Sequence, residues 1–252
     1  MIHFVGAGPG APDLITLRGA ELLKTADAIV YTGSLINPAL LNYAKHDCKI
    51  YNSAEMTLDE VIAILFDVYR TGKKVVRLHT GDPSLYGAIR EQMDLLKAAG
   101  VPFDVCPGVS SFCGAAAALK TEYTLPQVSQ SVIITRRAGR TPVPERESIA
   151  SLAAHGATMV IFLSAGMTES LQEELLSGGY GEDTPAAIVY KATWPEEKVW
   201  HCTVGTLAAT ARQNGISNLA LILVGNFLAN DYELSKLYDP AFTTGFRKGK
   251  NL

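Results

Sequence analysis

Three short segments hold the residue types from which a ligand site is built. The first is Gly6-Ala7-Gly8-Pro9-Gly10-Ala11, directly after an apolar run. The second is His79-Thr80-Gly81-Asp82-Pro83, continued by Ser84-Leu85-Tyr86-Gly87, and the third is Cys106-Pro107-Gly108-Val109-Ser110-Ser111. Glycine admits close approach of a ligand or a second backbone, and proline fixes a turn. Asp82 offers a carboxylate and His79 an imidazole for proton handling, so both are candidate catalytic groups. A helix cap at Asp82 and a packed core imidazole at His79 are the competing readings. The first segment can be laid on the dinucleotide fingerprint G-x-G-x-x-A. Pro9, however, removes a backbone donor that a pyrophosphate would use, and Pro12-Asp13 delay the helix. The next strand ends in Tyr31-Thr32-Gly33 without an acidic residue for a ribose, which argues against a nicotinamide or flavin. A plain tight turn and a close-approach loop both remain open for it.

Those segments need strands to deliver them and helices to follow. Apolar runs predict strands over 2–5, 28–31, 74–79 and 103–106, with helices over 17–25, around 60–68, over 90–99 and over 111–119. Thr16 is expected to cap the first helix, Thr57 and Glu60 form a capping box, and Gly100 stops the third helix. The stretch 120–130 is polar and contains Pro126, which predicts a domain boundary, 1–119 followed by 120–252. Beyond it, strands are expected over 131–136, 158–163, 185–190, 199–203 and 219–224, with helices over 147–154, 168–176 (capped by Thr168) and 206–213. This alternation predicts an α/β fold, and the paired run 185–203 an antiparallel part in the second sheet.

Composition narrows the classes. The chain has 252 residues, 48% apolar, with a formal net charge of −3. That describes a globular protein and gives no global reason to expect nucleic acid binding. Nothing approaches a membrane-spanning run, and 1–6 lack the pattern of a signal peptide, so a cytoplasmic protein is expected. Cys48, Cys106, Cys113 and Cys202 are scattered without C-x-x-C or paired histidines, so no metal is expected. No Ser/His/Asp or Cys/His set suggests a covalent intermediate.

The ordered set Gly8-Pro9-Gly10, Pro12-Asp13-Leu14-Ile15-Thr16, Gly81-Asp82-Pro83 and Pro107-Gly108-Val109-Ser110 resembles the tetrapyrrole (corrin and porphyrin) methylase family. The likeness continues through 162–167, 190–193 and 221–225 and spans nearly the whole chain. Residues 135–145, with His79-Thr80-Gly81-Asp82-Pro83, Tyr190-Lys191-Ala192-Thr193-Trp194-Pro195 and 237–249, are similar to the branch that methylates C11 of precorrin-4. Uroporphyrinogen methylases instead have Gly-Gly-Asp-Pro, where this chain has Thr80, and Asn-Gly-Thr, where it has Ala192.

The resemblance implies two α/β domains with mixed sheets, S-adenosylmethionine (SAM) in a cleft between them, S-adenosylhomocysteine as product, and a homodimer. It implies methylation at C11 of precorrin-4 or cobalt-precorrin-4 in cobalamin biosynthesis. The alternatives are a sister methylase (precorrin-3B, precorrin-2, uroporphyrinogen III, or the diphthine and ribosomal RNA branches) and a non-catalytic SAM-binding protein. Positions carried over for SAM are Pro9, Gly81, Asp82, Leu85, Ser110, Ser111, Met167 and Ala192. The tetrapyrrole is a polycarboxylate, so Arg136, Arg137, Arg140 and Lys191 are candidate substrate contacts, with Arg77 a further one. Arg247, Lys248 and Lys250 read as a solvated basic tail.

Overall fold

The computed structural model describes residues 1–250; the last two positions of the expected second domain lie outside the described residues. The chain forms two compact units, Met1–Ala118 with Lys191–Glu197, and Leu119–Tyr190 with 198–250. Among the described residues no helix is long and apolar enough to cross a membrane.

The first unit is built on five parallel strands, β1 (Ile2–Gly6), β2 (Ala28–Tyr31), β3 (Lys49–Asn52), β4 (Val75–His79) and β5 (Phe103–Cys106), in the order β3-β2-β4-β1-β5. Every residue of β1 and β4 is buried, as expected of parallel strands covered on both faces. Helix α1 (Leu17–Thr25) covers one face, where Leu23 packs with Val5, Val76 and Leu78. Helices α2 (Leu58–Arg70) and α3 (Ile89–Ala98) cover the other, where Leu65 and Leu96 pack with Ile2, Phe4 and Val75. Helix α4 (Ser111–Leu119) follows β5. The expected caps are present: Thr16 Oγ1 accepts from Gly19 N at 3.0 Å, and Thr57 and Glu60 close a capping box. Strand β3 has no counterpart in the predicted elements. It is a sheet edge of sequence Lys-Ile-Tyr-Asn, mostly exposed, so it carries no apolar run to be read.

The second unit has β6 (Val132–Arg136), β7 (Thr158–Phe162), β8 (Pro185–Tyr190), β9 (Lys198–Thr203) and β10 (Ala220–Val224), in the order β6-β7-β10-β8-β9. Only β6 and β7 run parallel; the other neighbours are antiparallel, so mixed pairing is confined to this sheet. Helices α5 (Ile149–Ala153), α6 (Thr168–Ser177) and α7 (Leu207–Gln213) bury Ile149, Leu171, Leu175 and Leu207 against Met159, Ile161, Ile188 and Ile222. Thr168 is not the cap of α6. The chain enters through a 3-10 turn at Ala165–Met167, which makes Thr168 the first helical residue and leaves Met167 at the cap without a side-chain capping bond. The basic tail is less free than expected. The Arg247 Nη2 donates to the carbonyls of Leu237, Asp239 and Phe242 and ties 237–247 into one hydrogen-bonded hook.

Candidate functional site

Strands β1 and β4 are neighbours, yet the helices that follow them lie on opposite faces of the sheet. This is the topological switch point where open α/β sheets bind ligands beyond their carboxyl ends. The first two glycine-rich segments meet here. Ala7 N donates to His79 O at 2.7 Å, and Gly8 and Gly81 exchange both backbone hydrogen bonds at 3.2 and 3.0 Å. Gly8 (φ +82°) and Gly81 (φ +60°) adopt left-handed conformations that glycine accepts without strain. The third segment closes on the same point. A Cβ on Gly108 would lie 2.2 Å from Gly81 O and 2.7 Å from Gly6 Cα. The turns after β1, β4 and β5 are therefore packed backbone against backbone.

Asp82 fastens this arrangement. Its Oδ2 accepts from Gly108 N at 2.8 Å, while its Oδ1 accepts from Ser84 N at 2.9 Å and from the Ser84 hydroxyl. Burial pushes the carboxyl up, but the bonds from the Ser84 hydroxyl, the Gly108 amide and the Ser84 amide outweigh it and hold the group below the usual carboxylate range. Asp82 does not cap a helix: α3 begins at Ile89, after Ala88. Leu85 N donates to Asp82 O inside the same turn. A Cβ on Gly81 would meet Ser110 Cα and Ser111 N at 3.4 Å, so Ser110 and Ser111, at the start of α4, border the Asp82 turn.

The loop Lys191–Glu197 clusters with this unit although its flanking strands do not. Thr193 Oγ1 accepts from Ala11 N at 2.9 Å, and a Cβ on Gly10 would sit 2.0 Å from Trp194 Cδ1 and 2.8 Å from Ala192 O. Gly114 in α4 lies against Pro9 and the Thr193 methyl. Lys191 and Thr193 hold left-handed φ values of 46° and 68°, and Thr193 N donates to Glu197 Oε2 at 2.6 Å. Pro9, Gly81, Asp82, Leu85, Ser110 and Ala192, on loops, and Ser111, at the start of α4, thus all lie in one unit. Lys191 joins them, its Nζ 5.0 Å above the Trp194 ring and 3.8 Å from Glu196. The sequence reading did not single out Asn37, whose buried Nδ2 donates to Gly10 O at 2.9 Å and whose Oδ1 accepts from Ala39 N. The Asn37-Pro38 pair was the available sign of such a turn.

His79 is 4% exposed, stacks on Phe4 with ring centroids 5.9 Å apart, and has no hydrogen-bond partner for Nε2 among the described residues. Burial, and secondarily the Arg77 charge, bring its pKa down to about 3. The ring is neutral at pH 7 and a poor proton acceptor there. A histidine depressed in the folded state and free to charge in the unfolded one costs stability as pH falls from about 6.5 towards the folded value. We expect His79→Leu to lose less stability than the wild type between pH 7 and about pH 4.5, by about 2–3 kcal/mol in denaturant titrations. Equal losses would place the acid sensitivity elsewhere. Arg77 is not a substrate contact. It is 6% exposed and donates to Gln92 Oε1, Val30 O and Leu78 O; burial lowers its pKa to about 10.

The remaining candidates lie in the second unit, at the ends of β6 and β7. Arg136 donates Nη1 to the carbonyls of Arg137 and Thr141 and Nη2 to that of Pro142 at 2.7 Å, so it organises its own loop. Arg137 pairs with Glu174 at 2.6 Å and donates to Ala138 O and to Met167 Sδ at 3.5 Å. Met167 is half-buried beside Gly139. Arg140 is exposed and makes no ion pair among the described residues.

Known proteins agree with this frame. Residues 1–208 match the model of the Tetrapyrrole (Corrin/Porphyrin) Methylases. A cobalt-precorrin-4 C(11)-methyltransferase of Methanocaldococcus jannaschii is 51% identical over 98% of this chain and 96% of its own. The X-ray structure of a cobalt precorrin-4 methyltransferase, a cobalamin biosynthetic enzyme, superposes with a TM-score of 0.88 at 47% identity, covering 90% of this chain and 95% of that one. A uroporphyrin-III C-methyl transferase of Thermus thermophilus, solved with S-adenosylhomocysteine, gives 0.76 at 26% identity over 90% and 93%. The chain belongs to the tetrapyrrole (corrin/porphyrin) methylase family.

Proposed function

We propose that this protein uses SAM to add a methyl group to C11 of precorrin-4, or of its cobalt form, in cobalamin biosynthesis, and that it works in the cytoplasm as a homodimer. The observation that carries the reading is the gathering of Pro9, Gly81, Asp82, Leu85, Ser110, Ser111 and Ala192 around the switch point between β1 and β4. The local chemistry fits the cofactor. Thr80 Oγ1 is buried beside Gly81 without a hydrogen-bond partner among the described residues, and a ligand with both donor and acceptor atoms would satisfy it. Bound SAM supplies an electrophilic methyl on a sulfonium, so the chain has no need of a nucleophile of its own. Its residues bind and orient: glycines 8 and 81 open the backbone, and Asp82 holds the turns in register. Met167, carried over for SAM from the family resemblance, lies in the second unit, where it packs on Arg137 and Gly139.

Among the candidate substrate contacts, exposed Arg140 fits the role better than Arg136 and Arg137, whose guanidinium groups are engaged within the protein. We expect Arg140→Ala to raise the KM for the tetrapyrrole about three- to tenfold with an unchanged melting temperature, the cost of one exposed charge pair. Arg136→Ala is expected to lower the melting temperature, because three loop carbonyls lose their donor. The reverse pattern would exchange their roles. The function itself is tested by supplying SAM with precorrin-4 and with cobalt-precorrin-4. S-adenosylhomocysteine should form only when a tetrapyrrole is present; none with either substrate would overturn the enzyme reading.

A further inference from the structure

The turn that carries Gly81, Asp82 and Leu85 leaves the end of β4 and runs into α3, which begins at Ile89. Its near end is held by the Asp82 carboxylate, which takes the Ser84 and Gly108 amides. Its middle doubles back on itself. A Cβ on Gly87 would lie 2.2 Å from Pro83 O, so the residue before Ala88 rests on the residue after Asp82. Its far end is a weak place. Ala88 holds a left-handed φ of 48°, costly for a residue with a Cβ, and offers α3 no side-chain cap.

One buried bridge ties that far end back to the strand. Gln92 Nε2 donates to Ala88 O at 3.0 Å, and Gln92 Oε1 accepts from Arg77 Nε on β4 at 3.2 Å. Arg77 Nη1 donates in turn to Val30 O on β2 at 3.2 Å. Strand, turn and helix thus form a closed ring, from Arg77 through Asp82 and Ala88 to Gln92 and back. Gln92 and Arg77 are 5% and 6% exposed, and Arg77 has no acidic partner among the described residues. A cation buried against neutral groups stabilises a fold less than a well-packed apolar pair of similar volume. Stability is therefore a poor reason for the bridge, and fixing where the turn stands is a better one.

We propose that Gln92, held by Arg77, is a positioning residue for the cofactor site: it sets Ala88 and so fixes the turn that presents Gly81, Asp82 and Leu85. This rests on the SAM reading above. A turn held in place beforehand loses less freedom when a ligand binds, so cutting the tie shows as lost affinity.

The test measures S-adenosylhomocysteine affinity by calorimetry, and the melting temperature, on the full chain. Gln92→Glu keeps an acceptor for Arg77 and gives the buried cation a counter-charge, but it faces the Ala88 carbonyl with an oxygen in place of a donor. It should melt no lower than wild type and yet bind about tenfold more weakly. Gln92→Met loses both bonds and should melt lower as well as bind more weakly. Leu65→Ala is the stability control, since Leu65 is fully buried in α2 and belongs to the core. It should melt roughly 5–15 °C lower and bind within about twofold of wild type. The affinity comparison decides: weaker binding in both Gln92 variants but not in Leu65→Ala upholds the inference. If Leu65→Ala binds as weakly as they do, general loosening accounts for the effect and the inference is overturned. Either Gln92 variant binding within about twofold of wild type overturns the inference alone. A wild type that binds no S-adenosylhomocysteine overturns the cofactor reading and this inference with it.

Discussion

Replacing Gly108 by alanine is expected to lower stability by about 2–4 kcal/mol and S-adenosylhomocysteine affinity by about 100-fold or more. The new methyl would sit 2.2 Å from Gly81 O, 2.7 Å from Gly6 Cα and 2.9 Å from Gly6 C, all of them backbone atoms. None can retreat cheaply. Gly6 is paired with His79 in the β1–β4 ladder, and Gly81 is pinned by its two backbone hydrogen bonds with Gly8. The turn after β5 must move instead, which breaks the 2.8 Å bond from Gly108 N to Asp82. Gly100→Ala is the control. Gly100 has a left-handed φ of 67° with nothing within 4 Å of the added carbon, so strain there should cost about 1 kcal/mol and leave ligand affinity intact. Denaturant midpoints and calorimetry on both variants check this. Wild-type affinity in Gly108→Ala would mean that the three turns are not the cofactor's cradle.

The second large effect is at Asp82. Asp82→Ala removes the acceptor for two amides and a hydroxyl, one of the amides part-buried, and each bond to a charged acceptor is worth about 1.5–3 kcal/mol. Asp82→Asn is only a partial rescue. Its single oxygen can serve Gly108 or Ser84, while its amide group turns a donor towards the other. The expected order of S-adenosylhomocysteine affinity is wild type, then Asn, then Ala, with Ala down by about 30-fold or more. Because the folded carboxyl is held below its usual range, its contribution is complete above about pH 4 and fades as acid protonates it. An Asn variant that binds as tightly as wild type would show that one oxygen suffices and that the link to Gly108 is dispensable.

Much of this architecture was legible because its physical cause is local. Strands β1 and β4 are buried on both faces and so read as mainly apolar runs despite His3, Arg77 and His79, and the caps at Thr16 and Thr57 follow from side-chain reach within one turn. The three glycine-rich segments were legible as turns, and the resemblance put them in one family. Their mutual packing was not, because contact between Gly6, Gly81 and Gly108 joins segments far apart in sequence and leaves no period to detect. The same holds for Gly10 beneath Trp194, and for the grouping of 191–197 with the first unit. Charge was the least legible property. Arg77, Arg136 and Arg137 are equally attractive to a polycarboxylate on paper, yet each turns guanidinium nitrogens to partners inside the protein. Edge strand β3, half polar and exposed, gave nothing to read.

The most direct test of the central claim is the position of the transferred carbon. Precorrin-4, or its cobalt form, is incubated with the protein and SAM carrying a carbon-13 methyl, and the product is examined by NMR. The account predicts one new labelled methyl, bonded to C11. A labelled methyl at any other ring carbon would contradict it.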